Sequence, residues 1–307
     1  MAKAIEKYSE QFKDPVIPVV IEESNQVGGE IFVFMGMGTE GNGTSTTVLE
    51  LAKSLSQAAK DKKVLLLDLN IVEPELEDLI FDYKKRSHLN IDQVYNLANA
   101  GKISGRDITQ HSALAKGSKN LYLLTGTKLN YLADHFNVEV LRAVLQAAKQ
   151  EYEYIFVDAS SHFDNAATVA AIIEAAIITC VTDFSGAGLR NFAHLKKAVL
   201  EMHPDIISKV KLLGVERTKK QVTQEVVSEV LGIKVSRIIE AFDSEGYSQS
   251  LNRYLKDLEL EYIEEKDKQG ILEKLKSKLQ FKMPNVPKVR LRKPRVKAGD
   301  SNVSSRS

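Results

Sequence analysis

Residues 30–55 read EIFVFMGMGTEGNGTSTTVLELAKSL, and this stretch decides the fold. A short apolar run enters a turn with four glycines, and the chain leaves the turn with an amphipathic helical pattern. A strand that ends at such a turn and restarts as a helix directs several backbone N–H groups at one point, where the helix N-terminus adds partial positive charge. The stretch therefore predicts an anion-binding loop.

In one register the loop fits a degenerate phosphate-binding motif. The pattern G-x-x-x-x-G-K-[ST] begins at Gly38 and ends at Ser45, but Thr44 occupies the lysine position. The backbone cradle for a phosphate is therefore expected, whereas its cation is missing.

In a second register the loop fits the dinucleotide fingerprint. Gly36, Gly38 and Gly41 satisfy G-x-G-x-x-G, and Asp68 at the end of the next strand is a candidate ribose ligand. This match is weak, because Asp68 lies about 27 residues beyond Gly41 and the fingerprint expects about 20. A tight turn without a ligand is the third interpretation.

Length and composition bound the class of protein. A chain of 307 residues with 43% hydrophobic content suits one large α/β domain or two small ones. No apolar run approaches the ~18 residues of a membrane span, and the first residues lack a signal-peptide core, so a cytoplasmic location is expected. The single Cys180 lies in an apolar run, which predicts a buried thiol, and the six histidines show no metal-ligand spacing.

Strand-like and helical patterns alternate six times from residue 30 onward. The strand-like runs are apolar on consecutive residues, as expected of strands that are covered on both faces, so the pattern predicts an α/β fold with a parallel sheet between two layers of helices. A last short strand is expected near 233–236, followed by helices over 248–256 and 267–279. The six runs read EIFVFMG, KVLLLDL, NLYLLTG, YEYIFVD, AIITCVTD and KVKLLGVE.

Composition divides the chain into three parts. Residues 1–29 are predicted to be an N-terminal extension, 30–281 the α/β domain, and 282–307 a disordered tail. The net charge of +1 conceals a tail of about +7 and a remaining body of about −6.

The basic tail is a second candidate binding region. Its alternation of basic residues with Val, Leu and Pro suits an extended segment that holds anionic lipid at the inner face of a membrane, a nucleic-acid backbone or an acidic protein. A solvated tail without a ligand is the alternative. The candidate residues are Lys288, Arg290, Arg292, Lys293, Arg295 and Lys297.

Four segments, taken in order, resemble the ParA/MinD group of deviant Walker P-loop ATPases. GTEGNGTSTT is similar to the family's KGGVGKTT, VLLLDLN to VLLIDLD, NLYLLTG to NLxLLPxG and YEYIFVDASS to YDYIIIDTPP. The resemblance spans roughly residues 30–217. It implies a P-loop NTPase fold, ATP or ADP bound with Mg²⁺, and a homodimer with facing nucleotide sites. The dinucleotide interpretation does not predict the third and fourth segments.

Three positions that carry charge in the family are neutral in this chain. The family's lysine that reaches across the dimer matches Thr39, its lysine along the phosphates matches Thr44, and its water-orienting aspartate matches Asn70. Removing one well-placed electrostatic group costs phosphoryl transfer on the order of 100-fold to 1000-fold. Hydrolysis is therefore expected to be negligible, and no catalytic residue is assigned.

The binding residues that the resemblance implies are better preserved. Ser45, Asp68 and Asp158 match the positions that hold Mg²⁺, partly through water, although Ser45 as a helix cap and Asp158 as a structural group are the alternatives. After the sixth strand, where the family often reads adenine with Asn, Arg217 is a candidate for stacking on a base. The implied nucleotide-binding residues are Gly38, Gly41, Asn42, Gly43, Thr44, Ser45, Thr46 and Arg217.

The resemblance implies a positional or assembly factor. Versions with altered Walker motifs resemble the TadZ/CpaE branch, which implies a protein partner within a pilus, secretion or conjugation apparatus. One alternative is an active ParA-like ATPase for DNA partitioning, in which Lys128 replaces a lost lysine. The other is a scaffold that binds no nucleotide.

Overall fold

The computed structural model describes most of the chain between residues 28 and 260. The described residues are 28–37, 43–80, 89–128, 134–162, 165–202, 204–216, 223–241, 244–258 and 260, with the backbone alone at 201 and 202. The predicted helix over 267–279, the boundary at 281 and the basic tail lie outside these residues, as does nearly all of the predicted extension.

The described strands form one eight-stranded sheet in the order β3-β4-β2-β5-β1-β6-β7-β8. All of its pairings are parallel except that of β3 with β4. The strands are β1 Glu30–Gly36, β2 Val64–Leu69, β3 Ala113–Leu114, β4 Leu121–Leu124, β5 Tyr154–Ala159, β6 Ile177–Thr182, β7 Val210–Val215 and β8 Val235–Ile239.

Helices cover both faces of the sheet and connect successive strands. The described α-helices are α1 Thr44–Ala58, α2 Leu76–Ile80, α3 Ile91–Asn99, α4 Gly105–Gln110, α5 Val138–Lys149, α6 Ala166–Glu174, α7 Gly186–Met202, α8 Gln224–Leu231 and α9 Tyr247–Asp257, with a 3₁₀ turn at Pro204–Lys209.

The core lies along the central strands because their side chains are apolar in both directions. Every residue of β2 and β5 is buried, and so is all of β1 after Glu30. Phe156 on β5 stacks on Phe32 and Phe34 of β1, with ring centroids 5.5 and 5.8 Å apart. Burying a large side chain of this kind stabilises the fold by about 1.5–3 kcal/mol. The parallel sheet between helices that the sequence predicts is confirmed.

Two details of the sheet differ from the sequence prediction. The last strand covers Val235–Ile239 rather than 233–236, because Val235 and Ile239 are the residues that the fold buries. The two-residue strand Ala113–Leu114 lies antiparallel at the edge and was not predicted. Cys180 is buried on β6, as predicted, and burial raises the pKa of its thiol.

The strand order places the glycine-rich loop at a switch point. From β1 the chain crosses to β2 on one side, whereas from the neighbouring β6 it proceeds to β7 on the other side. In open α/β sheets, ligands bind outside the carboxyl ends of the strands where the connections diverge in this way. The loop that follows β1 therefore lies at the position that this topology favours for a ligand.

We predict that the hydrogen bond between Tyr254 on α9 and Thr179 on β6 stabilises the docking of the last helix. Both side chains are fully buried and their oxygens are 2.7 Å apart. Tyr254→Phe should lower the free energy of unfolding by about 1–3 kcal/mol, because the Thr179 hydroxyl loses its partner in the interior. Urea denaturation measures the change. Adding Thr179→Val to Tyr254→Phe should recover part of the loss, and a fully additive double variant would contradict the assignment.

Candidate functional site

The first helix begins in a way that leaves its N-terminus open to an anion. Gly43 precedes α1 in the left-handed region, with φ of 83°, a conformation that favours glycine. No side chain caps the helix, and its first turn contains no acidic residue. Thr44 is buried, whereas Ser45 and Thr46 are partly exposed. The start of α1 therefore has the form of a phosphate-binding helix terminus.

Two carboxylates lie side by side at the carboxyl edge of the sheet. Asp68 on β2 and Asp158 on β5 are direct partners in the parallel register of these strands. Asp68 is 0% exposed and Asp158 is 2% exposed. The fold thus brings together two of the three predicted metal-site residues, which lie 90 positions apart in the sequence.

Asp68 is held by the loop that follows its own strand. Its Oδ1 accepts a hydrogen bond from the Asn70 N–H and its Oδ2 accepts one from the Leu76 N–H, each at 3.1 Å. Asn70 closes the same loop, since its side-chain amide donates to the Glu73 carbonyl at 2.7 Å and its Oδ1 accepts from the Glu73 N–H at 3.3 Å. Asn70 therefore has a structural role at the position that matches the family's water-orienting aspartate.

Asp158 joins the carboxylate pair to the glycine-rich loop. Its side chain is hydrogen-bonded to the Ser45 hydroxyl on the first turn of α1. The Oδ2 atom of Asp158 is buried and has no hydrogen-bond partner among the described residues. The hydrogen bonding of this carboxylate is therefore incomplete. The third predicted metal-site residue, Ser45, is thus in contact with the pair.

Burial shifts both carboxylates toward their neutral forms, and the charge of Asp158 adds to the shift of Asp68. Burial, and then the charge of Asp158, raises the pKa of Asp68 well above its usual range, although the Leu76 and Asn70 N–H groups lower it. Burial raises the pKa of Asp158 to about 7 against the lowering effect of Ser45. Glu75, exposed nearby, adds further negative charge to both. Among the described residues no cationic side chain pairs with either carboxylate, so the site favours a proton or an added cation.

A hydrated Mg²⁺ fits this set of donors. Mg²⁺ binds through one or two carboxylates and keeps several waters or phosphate oxygens. The unpartnered Oδ2 of Asp158 and the Ser45 hydroxyl are suitable oxygen ligands, directly or through water. The described part of the chain has no group of three or more His, Cys, Asp or Glu able to hold a metal ion by itself. Phosphate and water oxygens would therefore complete the shell.

Lys128 forms its contacts with α2 and α3. Its ammonium group forms an ion pair with Glu77 on α2, and its backbone N–H donates to Asp92 at 3.0 Å. This arrangement does not support the prediction that Lys128 replaces a lost loop lysine. His162, in the loop after β5, is exposed.

Gly126 forms a wall of the site that sequence reasoning missed. A Cβ at this position would lie 2.4 Å from Pro74 Cβ and 3.1 Å from the Asp68 carboxyl carbon. The absent side chain lets the end of β4 pack directly on Asp68. Gly126 does belong to the third family-like segment, NLYLLTG, and that membership was the available signal.

A second close approach supports the strand that feeds the loop. The Met37 N–H donates to the Val181 carbonyl of β6 at 2.7 Å. A Cβ at Gly188, in the first turn of α7, would lie 2.9 Å from the Met37 carbonyl oxygen. The start of α7 therefore packs on the last described residue before the loop. Nothing in the local sequence indicated this contact.

Several predicted binding residues lie outside the described part of the chain. These are Gly38, Thr39, Gly41, Asn42 and Arg217, together with the basic tail residues.

Solved structures with the same fold are available for comparison. A ParA family ATPase from Chlorobium tepidum TLS is 19% identical, with 74% of this chain and 92% of that chain covered and a TM-score of 0.63. MinD from Pyrococcus horikoshii OT3, complexed with Mg-ADP, is 16% identical in sequence. The match covers 75% of this chain and 96% of that chain, with a TM-score of 0.56. The MinC:MinD cell division complex of Aquifex aeolicus is 18% identical in sequence. The match covers 73% of this chain and 86% of that chain, with a TM-score of 0.56.

These likenesses show that the chain has the fold of the ParA/MinD P-loop ATPases, as the resemblance implied. No protein-family model matches the sequence, and no curated protein matches it significantly. Within the described residues, no helix has the length and apolar content needed to cross a membrane.

We predict that the carboxylate pair makes the metal-free protein less stable as the pH rises. Folded Asp158 titrates at about 7, whereas an unfolded aspartate titrates near 4, so between these values the folded state binds more protons and stability falls with pH. Asp158→Asn removes this loss. In EDTA the variant should exceed the wild-type free energy of unfolding by about 1–2 kcal/mol at pH 5 and by about 4 kcal/mol at pH 8.

Urea denaturation at the two pH values measures the difference. Asp183→Asn provides a matched control, since Asp183 follows the end of β6 and is partly exposed. A stability difference between Asp158→Asn and wild type that does not change with pH would contradict the prediction.

Proposed function

We propose that this protein binds ATP or ADP with Mg²⁺ at the carboxyl edge of the sheet and hydrolyses ATP at a negligible rate. The observation that carries the proposal is the buried pair Asp68 and Asp158, bonded to Ser45 at the start of an uncapped helix. This arrangement supplies oxygen ligands for a cation and N–H donors for a phosphate within one site.

The need for a cation follows from the charge of the site. Two adjacent buried carboxylates cannot both ionise without compensation. Mg²⁺ held by phosphate oxygens would supply that compensation, and the same ion would offset the repulsion between the carboxylates and the nucleotide. The structure of MinD from Pyrococcus horikoshii with Mg-ADP is consistent with this assignment, because it has the same fold.

Slow hydrolysis follows from what the site lacks. Thr44 stands where the phosphate-binding lysine is expected, and no described side chain replaces its charge, since Lys128 is paired with Glu77. The amide of Asn70 is engaged by the backbone of Glu73 on both sides. An amide in this position cannot act as a carboxylate toward an attacking water, so neither charge stabilisation nor water activation is supplied.

A protein that holds nucleotide without consuming it suits a positional or assembly role. We propose that the chain serves in this way within a larger machine, such as a pilus, secretion or conjugation apparatus, as a homodimer with a protein partner. The basic tail, Lys288 to Lys297, is the proposed contact with an anionic membrane surface or a nucleic-acid backbone. The MinC:MinD complex is a solved example of a protein with this fold bound to a partner.

We predict that nucleotide binding depends on Mg²⁺ through Ser45. Isothermal titration with ADP and ATP should show binding that weakens when EDTA replaces Mg²⁺. Ser45→Ala should reduce the gain from Mg²⁺ by about tenfold and leave affinity in EDTA unchanged, because it removes one oxygen ligand. Gly43 precedes the helix, so Ser45 is not its N-cap and the substitution removes no cap.

Ser54→Ala, on the same helix and also partly exposed, is the matched control and should behave like the wild type. Absence of binding to either nucleotide would favour a scaffold that uses the fold without a ligand. Phosphate release that rises when DNA is added would instead identify an active partition ATPase.

A second prediction concerns the missing cation. Thr44→Lys should raise nucleotide affinity by about tenfold to a hundredfold, since a charge-assisted hydrogen bond to phosphate contributes about 1.5–3 kcal/mol. Turnover should remain negligible, because Asn70 is unchanged. Thr44→Met has a side chain of comparable length without charge and should not raise the affinity. Equal affinities for the lysine and methionine variants would show that no phosphate lies beside position 44.

A further inference from the structure

The segment that follows β4 reaches Asp68 by two routes. Gly126 lies so close to this carboxylate that a Cβ there would be 3.2 Å from Asp68 Oδ2. Two residues later, the ammonium group of Lys128 forms an ion pair with Glu77 on α2. The residue before Glu77 is Leu76, whose N–H donates to the same Oδ2 atom of Asp68 at 3.1 Å. The segment therefore contacts the carboxylate once directly and once through α2.

The backbone that carries Lys128 is fixed by α3. The Ile91 N–H donates to the Thr125 carbonyl at 3.0 Å. The Thr127 hydroxyl and the Lys128 N–H donate to the two carboxylate oxygens of Asp92, at 2.5 and 3.0 Å. Asp92 lies in the first turn of α3, where the helix dipole favours negative charge. The position from which Lys128 reaches α2 is therefore set by contacts that do not involve the candidate site.

Helix α2 depends on contacts of this kind for its position. It contains only five residues, and a helix of that length is not stable by itself in water. Leu76 is fully buried and Glu77 is only 7% exposed. A buried carboxylate needs compensation, which the charge of Lys128 supplies. Loss of that charge should therefore disfavour the present position of α2 and of the Leu76 N–H.

We propose that Lys128 is a positioning residue for Asp68. It acts through Glu77, whose ion pair keeps the Leu76 N–H on the Asp68 carboxylate. Together with the N–H of Asn70, this bond fixes the carboxylate and leaves its remaining lone pairs for the waters of a bound cation. Groups that hold a metal-binding carboxylate in this way strengthen metal binding. The role in metal binding rests on the proposed function, whereas the position of Asp68 does not.

Hydrogen exchange of the full chain in EDTA tests the positioning without a ligand. Lys128→Met removes the charge and keeps a side chain of comparable length. The Leu76 amide should then exchange about threefold to tenfold faster, because its bond to Asp68 opens more often. Lys128→Arg keeps the charge and should exchange like the wild type. Lys102→Met, which replaces an exposed lysine after α3, is the matched control and should have no effect.

Isothermal titration with ADP, in Mg²⁺ and in EDTA, tests the consequence for metal binding. Lys128→Met should reduce the gain from Mg²⁺ by about tenfold and leave the affinity in EDTA unchanged. The double variant Lys128→Met/Glu77→Gln should lose no more than Lys128→Met, because no uncompensated charge is then left on α2. An equal loss of affinity in Mg²⁺ and in EDTA would indicate a general structural defect and overturn the proposal.

The two measurements separate this proposal from the proposed function. If the wild type gains nothing from Mg²⁺, the proposed function fails, and exchange of the Leu76 amide decides by itself whether Lys128 positions Asp68. If the wild type gains affinity and Lys128→Met gains as much, the positioning role is overturned while the proposed function stands. A wild-type exchange rate at Leu76 in Lys128→Met would also overturn it, as would equal effects of Lys128→Arg and Lys128→Met or a uniform rise in exchange across the sheet.

Discussion

The adjacent burial of Asp68 and Asp158 is the constraint around which this structure is arranged. The parallel register of β2 and β5 sets the two carboxylates side by side, where water cannot screen them. The surroundings stabilise one of them with backbone N–H groups and leave Asp158 Oδ2 without a partner among the described residues. The burial of this pair disfavours ionisation of the two carboxylates. The same geometry is suited to a proton or a metal ion. Protonation relieves the repulsion between the carboxylates, and Mg²⁺ does so under the proposed function.

The proposed site has oxygen ligands for a cation but neutral residues at the positions where phosphoryl transfer requires charge. Ser45 reaches Asp158 from the start of α1, an arrangement that supports the proposed metal site. On the phosphate side, Thr44 supplies no charge, and Asn70 has become part of the loop that holds Asp68. These two halves have different physical requirements: binding needs oxygen ligands and backbone donors, whereas turnover needs preorganised charge. One can therefore be lost without the other.

The sequence predicted those features that depend on local pattern. Runs of apolar residues located the major parallel strands, and the family resemblance implied that Asp68 and Asp158 share a metal site. The sequence could not predict contacts between segments that are distant in the chain and meet only in the folded structure. Gly126 packs on Asp68 and Gly188 on Met37 because strand and helix ends approach closely in the folded chain. The pairing of Lys128 with Glu77 likewise joins residues 51 positions apart. Such contacts have no periodicity from which to infer them.

The two halves of the sheet carry different kinds of chemistry. The strands β2, β5 and β1 organise the charged edge, where a ligand must supply what the protein lacks. The helices that follow β6 and β7 instead expose apolar side chains, Leu200 on α7 and Val226 and Val230 on α8. The family resemblance matches Thr39 to the lysine that reaches across the dimer, so the proposed homodimer must be held by other contacts.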